Sequence, residues 1–197
     1  CFAQKQAYNW LLNNNYMMTF KTDNGKPKII RQRGKTYSQT ASFSDDNGDL
    51  LLYLGNDVIY NAYGDTIFVL PVDFTGTYSY ECSSIIIQSP GNKDEFYVIY
   101  FNNQMLKYTL INVSGKRGKE KIIEKDIKLF GALPASNSLT ATRHKNGKDI
   151  WLVCLSGFLK NFLVYLIDKD GIHFKKSIST GTNYDSLRIK QININKQ

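Results

Sequence analysis

The stretch Ser44-Asp45-Asp46-Asn47-Gly48-Asp49 places three carboxylates and a carboxamide within six residues. Alternating Asp and Asn oxygens suit a hard cation such as Ca2+, but a calcium loop of the helix-loop-helix kind also needs a downstream bidentate Glu. Here Leu50, Leu51, Leu52 and Tyr53 follow. An Asn-Gly pair between apolar runs is a strong short hairpin signal, so the segment reads as a turn. The two histidines, His144 and His173, have no Ser, Cys or carboxylate at a spacing that marks a nucleophile, base or metal site. His144 enters an Asn146-Gly147 turn, and His173 sits in the strand-like Gly171-Ile172-His173-Phe174-Lys175. Cys82 and Cys154 form no CxxC or Cys/His pattern for zinc. Cys154, inside an apolar run, is expected to be a buried thiol packing as a small hydrophobe, and a bridge to Cys82 stays open. The basic cluster Lys116, Arg117, Lys119 and Lys121 would suit an anion, polysaccharide or nucleic-acid contact. Glu120 and Glu124 interrupt it and no aromatics interleave, so a solvated hairpin tip is the plainer reading. Gly115 to Lys119 lacks the order of a phosphate-binding loop. No catalytic residue, metal ligand or cofactor site is assigned, and the binding residues are unknown at this level.

The elements that must position these residues repeat. A short apolar run, an Asn/Gly turn, an acidic residue and a richer apolar run recur over residues 41–54, 83–101 and 139–155. Their acidic markers Asp49, Asp94 and Asp149 lie 45 and 55 residues apart, near the repeat length of a four-stranded propeller blade. One such unit cannot bury its own apolar face, so stacked copies imply a radial or solenoidal all-β body. Each copy resolves into four strands: 40–44, 49–54, 57–62 and 66–70; then 84–88, 95–101, 105–112 and 119–128; then 139–144, 149–155, 162–168 and 172–180. Residues 8–12, 16–21 and 28–32 read as three further strands, part of another blade. The expected fold is all-β, an incomplete propeller with blades at 39–70, 84–128 and 138–180 and N-terminal strands over 7–33. All of this belongs to one domain, 5–197. No segment shows a helical period. Propellers have about four to eight blades, so the chain is expected to be a fragment that continues into further ones.

In a propeller the first strand of each blade lines the central channel. Glycoside hydrolysis would need two carboxylates on or beside those strands. Residues 40–44, 84–88 and 139–144 contain none, and only Asp45 and Glu81 flank them. The loop at Ser44, Asp46 and Gly48 is similar to the Asp-box of sialidase propellers, with Leu50 and Leu51 where Thr and Trp are expected. That box is itself a structural turn. A propeller glycoside hydrolase or sialidase-like enzyme is therefore the alternative reading.

Hydrophobic residues make up 42% of the 197, aromatics 13%, and the net charge is +8. This Tyr- and Phe-rich composition suits half-buried pleated surfaces and argues against disorder. No apolar run approaches the roughly 18 residues that span a bilayer. Cys1 and Ala3 fit the small positions of a secretory cleavage site, making residues 1–4 a signal-peptide remnant. Cys1 as a lipid-bearing first residue and an accidental boundary are the competing readings.

Residues 42–53 with Val58-Ile59-Tyr60-Asn61, 84–91 with Phe96-Tyr97-Val98-Ile99, and 139–151 resemble stretches of large bacterial surface proteins. The family is the N-terminal β-propeller region of proteins exported by the type IX secretion system, many of which end in a gliding-motility-associated sorting domain. Asn9-Trp10 resembles that family's opening Asn-Trp-Tyr-Phe-Gly, with Leu11 and Leu12 replacing Tyr-Phe. The resemblance implies an exported propeller, secreted or at the outer-membrane surface of a Gram-negative bacterium, and brings no catalytic residues with it. The expected function is a non-catalytic binding or scaffold module for adhesion, recognising a protein or polysaccharide ligand, with no nucleic acid as partner and no membrane-spanning segment.

Overall fold

The computed structural model describes residues 7–12, 14–34, 36, 40–71, 84–102, 105–114, 119–129, 135–156 and 161–179. They form fifteen β-strands in four antiparallel sheets, and among the described residues there is no α-helix. The first sheet holds β1 (Asn9–Leu12), β2 (Tyr16–Thr19) and β3 (Lys28–Arg31). The second holds β4 (Thr40–Ser44), β5 (Leu50–Gly55), β6 (Val58–Asn61) and β7 (Thr66–Val69). The third holds β8 (Ser84–Gln88), β9 (Glu95–Asn102), β10 (Met105–Asn112) and β11 (Lys121–Lys128). The fourth holds β12 (Ala135–Arg143), β13 (Ile150–Ser156), β14 (Asn161–Asp168) and β15 (Gly171–Ser179). Every sheet is a meander in which sequence neighbours pair. The all-β expectation holds, and each of the fifteen expected strands is present.

The hairpins form where a short Asx side chain satisfies backbone donors that the ladder leaves open. Asp45 Oδ1 accepts from the N–H groups of Asn47 and Asp49, both at 2.8 Å. Asn92 Oδ1 accepts from Asp94 N–H at 3.1 Å, and Asn146 Oδ1 from Asp149 N–H at 3.0 Å. Asp49 and Asp149 thus occupy one structural position, their carbonyls accepting from Asp45 N–H and His144 N–H. In the third sheet that position falls to Glu95, one residue after Asp94, and the Glu95 carbonyl accepts from Ser89 N–H. The spacing of the markers reflects turn chemistry.

Packing follows from the two-residue alternation of side chains along a strand. In β9, Phe96, Val98 and Tyr100 point one way, into a cluster with Leu52, Leu54, Ile59 and Phe68 of the second sheet. Tyr97, Ile99 and Phe101 point the other way, into a cluster with Leu152, Cys154, Leu163 and Tyr165 of the fourth. The third sheet is therefore apolar on both faces and sits between its neighbours. Each fully buried Leu or Ile contributes about 1.5–3 kcal/mol, which makes these two clusters the main source of cohesion.

The sheets follow one another in chain order with their first strands side by side. β1 lies against β4, β4 against β8, and β8 against β12. The last strands are far more exposed; nearly every residue of β11 faces solvent, and its Lys and Glu residues protect an open edge. β11 is also bent by register shifts opposite Leu110. There Asp126 takes a φ of 52°, and its carboxylate accepts from Tyr100 Oη at 3.0 Å and pairs with Lys107 Nζ at 2.7 Å. This half-buried network fixes the bulge in place.

Candidate functional site

The first strands β8 and β12 are paired on one edge only, with β9 and β13 respectively. Between their other edges opens a cleft of about 640 Å³. Ile85, Ile86 and Ile87 form one wall, Ala141 and Thr142 the other, and Phe43 of β4 closes one side. At the mouth stand three cations: Lys93 from the β8–β9 turn, Arg143 from the end of β12, and Lys148 from the β12–β13 turn. All three side chains are exposed, and none has an ion-pair partner among the described residues. No described carboxylate lines the cleft. A cleft with one sign of charge and apolar walls focuses its field and concentrates counter-ions.

The turn that carries Lys93 is held firmly. Gln88 Nε2 donates to the Lys93 carbonyl at 2.7 Å, and Gly91 N–H donates to Ser89 Oγ at 3.3 Å. A Cβ on Gly91 would come within 2.6 Å of the Lys169 carbonyl, so the β8–β9 turn seats directly on the β14–β15 turn. Neighbouring sheets thereby lock the cleft's rim.

The residues singled out from the sequence take other roles. Asp45 is occupied by its own turn, while Asp49 pairs with Lys21 at 2.5 Å. Among the described residues, no group of three or more His, Cys, Asp or Glu is placed to hold a metal ion. His144 Nδ1 accepts from Asn146 N–H at 3.2 Å, and its ring lies 5.2 Å from that of Trp151. His173 Nε2 meets Asp168 Oδ1 at 3.0 Å across the β14–β15 hairpin. Slight burial raises the Asp168 pKa, but the Asp170 N–H and His173 outweigh it and hold the carboxyl below its ordinary range. That pair is structural; the hairpin register brings together residues whose spacing of five in sequence carries no signal.

Cys154 is a free, buried thiol that burial pushes up to about 12, so it packs as a small hydrophobe. Glu81, Cys82 and residues 115–118 lie outside the described residues. Of the remaining basic cluster, Lys119 and Lys121 are exposed, and Glu120 Oε1 accepts from Asn61 Nδ2 at 3.2 Å.

The cleft itself was not foreseen. Its cations come from segments some 50 residues apart and only the stacking of sheets unites them. The local signal that could have found them is a Lys or Arg beside the first turn of the second and third repeats, which the first repeat lacks. Among the described residues no helix is long and apolar enough to cross a membrane. No family model, curated protein or solved structure matches the chain.

Proposed function

We propose that the chain is a β-propeller segment acting as a non-catalytic binding or scaffold module of an exported cell-surface protein. The observation that carries this reading is the side-by-side succession of first strands β1, β4, β8 and β12, with the more solvated last strands β3, β7, β11 and β15 at the opposite edge of each sheet. A radial array brings like strands together around an axis in this way and gives the inner edges to a ligand.

The two end faces support further blades on either side. Trp10 and Ile29 on the outer face of the first sheet are 54% and 59% exposed, and Phe162 and Ile178 pair on the outer face of the fourth. These are positions that a neighbouring sheet covers between the other blades. An enzyme reading lacks its chemistry, because β4, β8 and β12 carry no Asp or Glu. Export through a type IX route and attachment at the outer membrane follow from the resemblance in sequence.

The test is a screen of the full-length protein against arrayed glycans and extracellular-matrix proteins. Retention of either without turnover supports a binding module. Hydrolysis of a polysaccharide would replace it with the carbohydrate-active alternative.

A further inference from the structure

We propose that the cleft between β8 and β12 binds acidic oligosaccharides, holding a sugar carboxylate or sulfate against Arg143, Lys148 and Lys93. The inference rests on the binding-module reading above and gives it a site and a ligand class. Three exposed cations converge on one mouth with no ion-pair partner among the described residues and no carboxylate on the walls. Arg143 can grip a carboxylate or sulfate through two parallel N–H bonds, and the lysines add point charges. Behind them Gln88 and Thr142 bring polar side chains to the cleft, while Ser89 is buried and bonded within its turn. The unpaired edges of β8 and β12 add backbone N–H and C=O groups. Such a mixture of donors and acceptors suits the hydroxyls of a sugar. The volume of about 640 Å³ is that of a site for a ligand of a few rings.

Other polyanions fit less well. A single-stranded nucleic acid needs aromatic platforms on which bases stack. The described lining offers one aromatic ring, Phe43, which is already packed edge-on against Phe96 at 5.0 Å. An acidic peptide added as a strand between the two edges would need about 4.8 Å on each side. β8 and β12 approach within 8 Å, Cα to Cα, at some positions, so a peptide strand cannot pair with both edges there. A compact, hydroxyl-rich acid remains.

Isothermal titration of the intact protein with trigalacturonate and with a chondroitin sulfate tetrasaccharide tests this, the first carrying only carboxylates and the second sulfates as well. Maltotriose, an oligothymidylate and an oligoglutamate serve as comparisons. At least one acidic oligosaccharide should saturate the protein while maltotriose does not. The double variant Arg143→Glu/Lys148→Glu should weaken that binding tenfold or more. Lys93→Glu should weaken it several-fold, and Lys26→Glu in the β2–β3 turn should leave it unchanged. Absence of binding by both acidic sugars, equal affinity in the double variant, or tighter binding of the oligothymidylate or oligoglutamate would overturn the assignment. If the glycan and matrix array is still retained equally by parent and double variant, only this site fails. If the parent retains nothing, the binding-module reading fails with it.

Discussion

Asn9 and Ser44 stand 35 residues apart in the chain yet share a buried hydrogen bond of 2.8 Å, Nδ2 donating to Oγ. The same amide donates to the Gly48 carbonyl at 3.0 Å, and Ser42 Oγ donates back to the Asn9 carbonyl at 2.5 Å. These bonds fasten β1 to β4 and to the turn that follows it. Met17 is the one hydrophobic residue of β1–β3 that is buried, so the first sheet leans on polar bonds where the others lean on packing.

Asn9→Ala strands the buried Ser44 hydroxyl and should cost about 1–3 kcal/mol, read from urea unfolding. Amide exchange at Met17 and Thr19 should quicken more than at Val98 or Tyr165. A change below about 0.5 kcal/mol would show that the clamp contributes little.

Gly48 and Gly147 occupy equivalent turns, with φ of 83° and 71°. An alanine at 147 has open space around its Cβ and should cost only the left-handed backbone penalty, about 1–2 kcal/mol. At 48 the same Cβ would meet Tyr8 Cδ2 at 2.5 Å, adding roughly 1–3 kcal/mol of overpacking. Thermal melts of Gly48→Ala and Gly147→Ala should therefore separate clearly, with Gly48→Ala the lower. Equal melts would mean that Tyr8 does not rest on this turn.

The strands were legible in the sequence because most hairpins carry their own punctuation. Asn-Gly and Asx residues fixed where β5 and β13 begin to within one residue, and Thr40–Ser44, Ser84–Gln88 and Met105–Asn112 match residue for residue. The start of β12 at Ala135, against an expected Leu139, was less visible, since Ser and Asn there look like loop residues. Long-range relations were not legible. Alternation alone cannot say that Phe96 and Tyr97 serve two different cores, because a strand apolar on both faces has no polar side to orient it. Nor can it place Lys93 beside Arg143, whose meeting depends on how one sheet rests upon the next.

Cys154 should resist alkylation by iodoacetamide in the folded protein at pH 8 and react fully in denaturant. Its folded pKa of about 12 lies above the ordinary 9.0, so between pH 9 and 12 the unfolded chain has released more protons than the folded one. Stability from this group is thus complete below pH 9 and is lost as pH rises towards 12. Burial moves Tyr100 and Tyr165 in the same direction. Urea midpoints should fall steadily above pH 9, with a shallower fall in Cys154→Ala, measured relative to its own midpoint at pH 8. A midpoint flat to pH 11 would contradict the burial of these groups.

Spin-label distances between the second and fourth sheets test the radial arrangement most directly. One pair, Thr40→Cys and Thr142→Cys, sits on first strands, and the other, Val69→Cys and Lys176→Cys, on last strands. Cys1 and Cys82 are replaced by serine, and the buried Cys154 is kept. Sheets fanned about an axis give a first-strand distance clearly shorter than the last-strand distance. Equal distances for the two pairs, near the roughly 20 Å of two stacked sheet spacings, would mean parallel layers and would contradict the propeller.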